Sequence, residues 1–273
     1  MVRNPLRCAA VALGMLAFAA WAQESDAGWK NLVMQALAAA GAKDFTKSEQ
    51  IFQRALKESE RFGPSDPRVG TTLNSLGLVY KAEKRYADAD SAFRRSLAIL
   101  EKAYGSSSID VANINFNIAT VMAEQGKEPA SLPFLEKSLS IYTRQLGGNS
   151  LKAGSVLCMI GDAHRVAREW TLAEEPLRQC AEIREANGGV FNGDLGDALF
   201  SLALVYQNLG KYALADPRFK LAEKIREKTQ GIMSPGLADV LEAHAAMLKS
   251  MGRDAEASKN STLAAAIRRN AHK

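Results

Sequence analysis

The chain has 273 residues, 47% of them hydrophobic and 24% charged, and its formal net charge is +5. This balance is typical of a folded globular protein and excludes a chain that is disordered throughout. Lysine and arginine alternate with glutamate, as in Glu182-Ile-Arg184-Glu185 and around Arg226, so a clustered basic surface for nucleic acid is not expected. We interpret these charged stretches as solvated helix faces.

The N-terminal segment, 1–22, is typical of a secretory signal peptide. Arg3 and Arg7 precede an apolar run of about thirteen residues, and Ala20-Trp21-Ala22 has the small-x-small form that signal peptidases cleave. The run is shorter than the roughly twenty residues that span a bilayer, although an uncleaved anchor is the alternative. We therefore expect residues 1–22 to be removed on export to the periplasm or, alternatively, to the exterior, with no membrane span afterwards.

The stretch from Thr71 to Gly105 predicts a helical hairpin. Apolar and small residues recur in each half at offsets of three and four, so each half has one face to bury. These residues are Leu73, Leu76, Gly77 and Tyr80 in the first half and Tyr86, Ala89, Phe93, Ser96 and Leu97 in the second. The short link between the halves requires an antiparallel turn, and Gly77 and Ala89 allow the helices to approach closely. One hairpin buries too little surface to be stable alone, which predicts copies on either side.

The same pattern recurs with a 42-residue period. The step from Gly77 gives small residues each time, at Ala119, Gly161, Ala203 and Ala245. In the second helices the step from Phe93 gives Leu135, Leu177, Phe219 and finally Ser261, whose polarity suits a solvent-facing cap. The second helix of the first hairpin is out of step by one residue. Pro133 and Pro217 are expected a turn inside their helices, where a proline would kink them.

Small residues at the eighth and twentieth positions, with an aromatic residue near the eleventh and at the seventeenth, resemble the tetratricopeptide repeat. The 42-residue spacing and the phrase Thr72-Leu-Asn-Ser-Leu-Gly-Leu-Val-Tyr80 are similar to its kinesin-light-chain-type variant. The resemblance implies an all-α fold, an α-solenoid in which about six antiparallel hairpins form a right-handed superhelix. After a short segment, 23–28, the solenoid would cover 29–270, with units near 29–69, 70–111, 112–153, 154–195, 196–237 and 238–270.

Stacked hairpins provide a concave groove lined by their first helices, and this groove is where we expect a protein or peptide partner to bind. The expected contacts are Asn74, Lys81, Asn113, Phe116, Asn117, Arg165, Phe200 and Asn208. Asparagine can bond both the amide and the carbonyl of an extended peptide, while Phe116 and Phe200 receive apolar side chains, unless these two rings turn into the core. The resemblance implies the same channel, with a backbone-clamping asparagine at a position that only Asn117 matches. The lysine-asparagine carboxylate clamp of chaperone-binding members is absent as a set.

Neither a catalytic nor a metal-binding nor a cofactor-binding residue is expected, because the sequence contains no serine elbow, phosphate loop or metal-ligand motif. His164 and His244 occupy positions held elsewhere by Tyr80 and Leu76, so we interpret them as packing residues. The sequence thus predicts a non-catalytic scaffold. The alternative is a structural protein that self-associates, as a homo-oligomer, through its convex face or ends.

Two cysteines remain after the predicted cleavage, Cys158 and Cys180. Export would place them in an oxidising compartment, where they could pair. However, the register places Cys158 towards the groove and Cys180 inside the hairpin seam. We therefore expect two small buried thiols, with a disulfide as the alternative.

Overall fold

The computed structural model describes residues 26–189 and 192–271, so the predicted signal peptide, residues 1–22, lies outside the described residues. Within those two ranges the fold is all-α and contains no strand, which confirms the predicted fold class. The helices are α1 (26–41), α2 (Phe45–Glu60), α3 (Pro67–Ala82), α4 (Tyr86–Tyr104), α5 (Ile109–Glu124), α6 (Leu132–Leu146), α7 (Leu151–Val166), α8 (Trp170–Gly188), α9 (Gly193–Asn208), α10 (Tyr212–Gln230), α11 (Pro235–Ser250) and α12 (Asp254–Ala271). None of the described helices is both long enough and apolar enough to cross a bilayer.

The first helices follow the predicted period. From the second pair to the sixth they begin, at a constant 42-residue spacing, at Pro67, Ile109, Leu151, Gly193 and Pro235. These starts lie three residues before the predicted unit boundaries, because the polar residue that precedes each helix caps it. At Ser150 and Ser234 the hydroxyl accepts a hydrogen bond from a backbone amide of the first turn, at 3.3 Å in both cases.

The first helix pair is out of step as a whole. Helix α1 ends at residue 41 and α2 begins at residue 45. Helix α3 ends at residue 82 and α4 begins at residue 86, so the step between the two pairs is 41 residues. The sequence predicted this shift for the second helix, and the structure extends it to the first. Residues equivalent in position to those of α3 are therefore found in α1 by subtracting 41.

The described residues divide into two compact units, one ending at Val121 and the other beginning at Met122. In the first unit, Leu76 and Val79 of α3 pack against Ala36, Ile51 and Phe52 of the preceding pair. In the second unit, one continuous buried cluster extends from α7 to α12. In both units a first helix is thus buried against the pair that precedes it.

The third pair has an irregular second helix. Residues Pro129–Ser131 form a short 3-10 turn, and α6 begins only at Leu132. Pro133 therefore lies in the first turn of α6, where the backbone amides have no partner within the helix, and the predicted kink there was wrong. Pro217 does lie inside α10, as expected.

Cys158 and Cys180 form a disulfide, so the expectation of two free thiols was wrong. Cys158 lies on α7 and Cys180 on α8, and their Cα atoms are 5.2 Å apart, within the range that the bond requires. The register placed Cys158 towards the groove, but its side chain is half-buried and packs on the core of the second unit. The bond therefore joins the two helices of the fourth pair.

Candidate functional site

Two asparagines from neighbouring first helices meet in the first unit. Nδ2 of Asn117 on α5 donates a hydrogen bond to Oδ1 of Asn74 on α3 at 3.0 Å. Within the described residues this bond leaves Nδ2 of Asn74 as a donor and Oδ1 of Asn117 as an acceptor for a ligand. The structure thus brings together two of the predicted contact residues as a paired donor and acceptor.

Three exposed apolar side chains lie on α3 or on α1, the first helix of the preceding pair. Met34 and Leu37 of α1 are 71% and 53% exposed, and Leu78 of α3 is 41% exposed. Leu37 is equivalent to Leu78, and Met34 to Ser75, by the 41-residue step. We call this surface the N-terminal face and define it by Met34, Leu37, Asn74, Leu78, Phe116 and Asn117. Met34 and Leu37 were not predicted as contacts, because every contact residue predicted from the sequence lies in a later pair than the first.

The other predicted contacts in the first unit are less open. Lys81, Asn113 and Phe116 are all half-buried, and Lys81 and Asn113 already interact with other residues of the protein. Tyr80, which follows Val79 on α3, is also half-buried; burial raises the pKa of its phenol, and the nearby Glu49 carboxylate raises it further. The tyrosine hydroxyl is therefore neutral at ordinary pH.

The predicted contacts in the second unit are engaged by their own unit. Nε of Arg165 donates to Asp162 Oδ1 at 2.7 Å. The ring of Phe200 lies 6.2 Å from that of Phe219, centroid to centroid, and packs on the buried cluster, which is the alternative that the sequence left open. Nδ2 of Asn208 donates to the carbonyl of Leu204 in its own helix, at 2.8 Å. The predicted contact residues of the second unit therefore offer a ligand fewer exposed apolar side chains and fewer available hydrogen-bonding groups than the N-terminal face.

Arg184, Arg226 and Arg268 recur at the 42-residue period, and each reaches from a second helix to the first helix of its own pair. Arg184 donates to Ser155 Oγ at 2.8 Å, and Arg226 to Asp197 Oδ1 at 2.9 Å. Arg268 bonds Asp239 and Glu242. The side chains of Arg184 and Arg226 are only 14% and 12% exposed, so their interpretation as part of a solvated face was wrong.

The sequence does contain a pattern that indicates the burial of these arginines. The partners Ser155, Asp197 and Asp239 recur at the same 42-residue period, so the sequence repeats a pair of positions and not only a charged helix face. A long arginine side chain can bury its methylenes along the helix while its guanidinium reaches a partner across the seam.

The described residues contain no group of three or more histidine, cysteine, aspartate or glutamate side chains placed to hold a metal ion. His164 is half-buried, with Nδ1 2.7 Å from Glu169 Oε2 in the turn that follows α7. His244 is buried, as its position predicted.

The sequence pattern of the tetratricopeptide repeat matches residues 31–102 and 110–186, which together are more than half of the chain, and a second pattern of the same name matches 196–229. The chain belongs to the tetratricopeptide repeat family. A curated relative, the clustered mitochondria protein homolog of Aspergillus terreus, is 30% identical over 88 residues. That match covers 32% of this chain and only 7% of the relative, so the chain spans a small part of the curated protein it matches.

Solved structures share the fold. BtubC (BKLC) from P. vanneervenii is 21% identical, with a TM-score of 0.65 over 74% of this chain and 81% of that one. The nearly identical repeats of a putative kinesin light chain from Podospora anserina are 18% identical, with a TM-score of 0.61 over 77% and 98%. A Rap protein complexed with Competence and Sporulation Factor is 16% identical, with a TM-score of 0.54 over 89% and 75%. These matches confirm the predicted solenoid class and its kinesin-light-chain-like repeats.

Proposed function

We propose that the protein is an exported, non-catalytic scaffold that binds a protein or peptide partner through its N-terminal face. The observation that carries this proposal is the exposure of Met34, Leu37 and Leu78 on two successive first helices, the second of which also carries Asn74 of the Asn74–Asn117 amide pair. Apolar side chains that stay exposed together on a folded protein are typical of an interaction site. The family membership supports protein binding in general, and the Rap protein of similar fold is complexed with Competence and Sporulation Factor.

The chemistry of the N-terminal face fits a peptide segment that offers both apolar side chains and free backbone amide and carbonyl groups. The apolar side chains of the partner would cover Met34, Leu37 and Leu78 and remove their surface from water, which contributes about 25 cal/mol per Å² of apolar area buried. Nδ2 of Asn74 would donate to a carbonyl of the partner backbone, and Oδ1 of Asn117 would accept from one of its amides. The side chains supply affinity and the amide pair supplies register.

Two features support export. The N-terminal sequence has the composition and cleavage site of a signal peptide, and the two cysteines that would remain after cleavage are joined in a disulfide. Disulfides form and persist in oxidising compartments such as the periplasm or the exterior. Together these features favour a location outside the cytoplasm, and we propose the periplasm.

The proposal is tested by charging the N-terminal face. Leu37→Glu together with Leu78→Glu places two carboxylates where the partner's apolar side chains would lie. We expect capture of the partner from the cell envelope to fall by about tenfold or more, because a desolvated charge without a counter-ion costs well over about 1.4 kcal/mol. Phe116→Ala with Asn117→Ala should reduce capture as well.

The matched control is Leu172→Glu on α8, whose side chain is 57% exposed and lies on a second helix of the second unit. It should leave both the fold and the capture unchanged. Unchanged capture in the Leu37 and Leu78 variant would remove the N-terminal face from the account. If light scattering also showed a stable oligomer of that variant, self-association through another surface would be the better explanation.

A further inference from the structure

His244 joins the fifth and sixth helix pairs. It lies on α11, is 2% exposed, and its ring stacks on Phe219 of α10 with centroids 5.1 Å apart. Nδ1 lies 2.6 Å from Glu223 Oε1, and Nε2 lies 2.9 Å from Asp216 Oδ1. Because both carboxylates belong to α10, the imidazole is a polar contact between the second helix of one pair and the first helix of the next.

The two carboxylates favour an imidazolium at His244. A neutral imidazole carries one N–H and one lone pair, so one of its nitrogens would present a lone pair to a carboxylate oxygen. Two N–H groups, one towards Glu223 and one towards Asp216, satisfy both contacts at once. A buried charge is retained only when it is paired in this way. The polar part of the contact between the pairs, which adds to the apolar packing of α10 on α11, therefore depends on the second proton of His244.

The surrounding charges determine what happens when that proton is lost. Asp216 also accepts from Lys220 Nζ at 2.8 Å, and Nη1 of Arg253, in the turn before α12, lies 3.4 Å from its Oδ1. Arg253 is shared with Glu256 of α12, at 2.7 Å. Glu223 accepts a longer bond from Nδ2 of Asn260 on α12, at 3.3 Å. That amide nitrogen also lies 3.2 Å from Nδ1 of His244, and its bond to Glu223 needs no lone pair from the ring.

These contacts also shift the pKa values of His244 and Asp216. Burial alone would lower the pKa of His244, but the hydrogen bonds to Glu223 and Asp216 outweigh it and raise the pKa above the ordinary value of 6.5. Burial alone would raise the pKa of Asp216, but Lys220 and His244 lower it to about 2. Asp216 is therefore charged throughout the range in which His244 titrates.

We propose that this cluster is a pH-sensitive joint, which holds the sixth helix pair on the fifth while His244 carries both protons and opens more readily once it loses one. The pair α11–α12 has a buried cluster of its own, formed by Leu237, Ala238, Leu241, Ala264 and Ile267. Loss of the imidazolium therefore weakens the joint more than it weakens the pair. The inference is independent of partner binding at the N-terminal face, since every residue involved lies in the second unit.

The sign of the effect follows from linkage. The folded pKa of His244 is raised, so its contribution to the joint is complete below 6.5 and is lost as the pH rises through the folded value. Between those two values opening releases one proton, and the opening constant should rise by up to tenfold per pH unit. Above the folded pKa it should become constant.

The experiment is hydrogen exchange on the protein as purified from the cell, expressed as protection factors so that the intrinsic pH dependence of exchange is removed. We expect the protection of α11 and α12 to fall with rising pH, up to tenfold per unit, while that of α7 and α8 stays constant. His244→Gln should abolish this slope. Glu223→Gln leaves one carboxylate and keeps the shape; because it lowers only the folded pKa of His244, the slope should still begin near 6.5 but end at a lower pH than in the wild type.

A titration of the His244 ring by NMR in the same samples checks that the slope and the deprotonation coincide. His164→Gln is the matched control, because His164 faces a single carboxylate in a different pair, and it should leave the slope unchanged. A flat wild-type profile, an equal loss of protection in α7 and α8, or the same slope in His244→Gln would each overturn the proposal.

Discussion

Gly77 is where the close approach of two helices depends on one missing atom. A Cβ at this position would lie 2.6 Å from Cε1 of Phe93, whose ring is completely buried. Real carbon atoms do not come so close, so either the ring or the helix would have to move. The seam of the second pair therefore has room for Phe93 only because position 77 is glycine.

We predict that Gly77→Ala destabilises the protein by about 1–3 kcal/mol, the usual cost of overpacking a filled core, despite the better helix propensity of alanine. The urea midpoint of the purified variant measures it. Gly193→Ala is the matched control, because that glycine also lies in a first helix and has nothing within 4 Å of the added carbon. The control should be neutral or more stable by up to about 1 kcal/mol, and equal midpoints for the two variants would contradict the packing argument.

At the scale of the element, the fourth helix pair differs from the others by its covalent bond. Cys158 and Cys180 are 22 residues apart, and closing a loop of that length removes conformational entropy from the unfolded chain. The bond crosses the seam at a level where the fifth pair packs Phe200 against its core. In the fourth pair a covalent link between the helices thus replaces part of the aromatic packing.

We predict that reduction lowers the free energy of unfolding by about 3 kcal/mol, the value for a loop of this length. Urea melts with and without a thiol reductant measure the change. The double variant Cys158→Ala with Cys180→Ala should melt at the midpoint of the reduced protein and should not respond to the reductant. A wild-type midpoint that is the same under both conditions would show that the thiols are unpaired in solution.

The elements show why the repeat was predictable and parts of the candidate site were not. Spacing alone located the hairpins, because packing repeats with the sequence. The turn between helices has a left-handed residue in every pair, and from the second pair onwards it is Lys84, Gly126, Arg168, Gly210 and Gly252. A pattern of residue types could not reveal that shared conformation, because only glycine marks it in sequence.

The spacing of residues in the sequence could not predict where a side chain points or how far a neighbouring helix covers it. The register indicated which face Phe200 and Cys158 share, but the exposure of each depends on how far the neighbouring helix covers it. The same limit applies to Arg184, whose side chain is long enough to leave its own face. Asn74 and Asn117 were predicted separately as contacts, and their hydrogen bond depends on the approach of two helices that are distant in sequence.

At the scale of the whole molecule, the proposed export predicts both cleavage of the signal peptide and oxidation of the remaining cysteines. The chain contains three cysteines, and one of them, Cys8, lies in the segment that a signal peptidase would remove. A processed and oxidised protein therefore has no free thiol, whereas an unprocessed and reduced one has three. The number of free thiols therefore indicates both whether the signal peptide has been removed and whether the protein has been in an oxidising compartment.

We predict that protein isolated from the producing cells under denaturing conditions begins at Gln23 and takes up no alkylating reagent until it is reduced, after which it takes up two equivalents. Intact mass spectrometry measures both quantities in one spectrum. Replacing Ala20 and Ala22 with bulky residues should block cleavage, because the peptidase requires small side chains at these positions. The blocked chain should keep Cys8 and remain with the membrane fraction. A chain that begins at Met1 and alkylates three times without reduction would contradict export, while leaving both the fold and the N-terminal face intact.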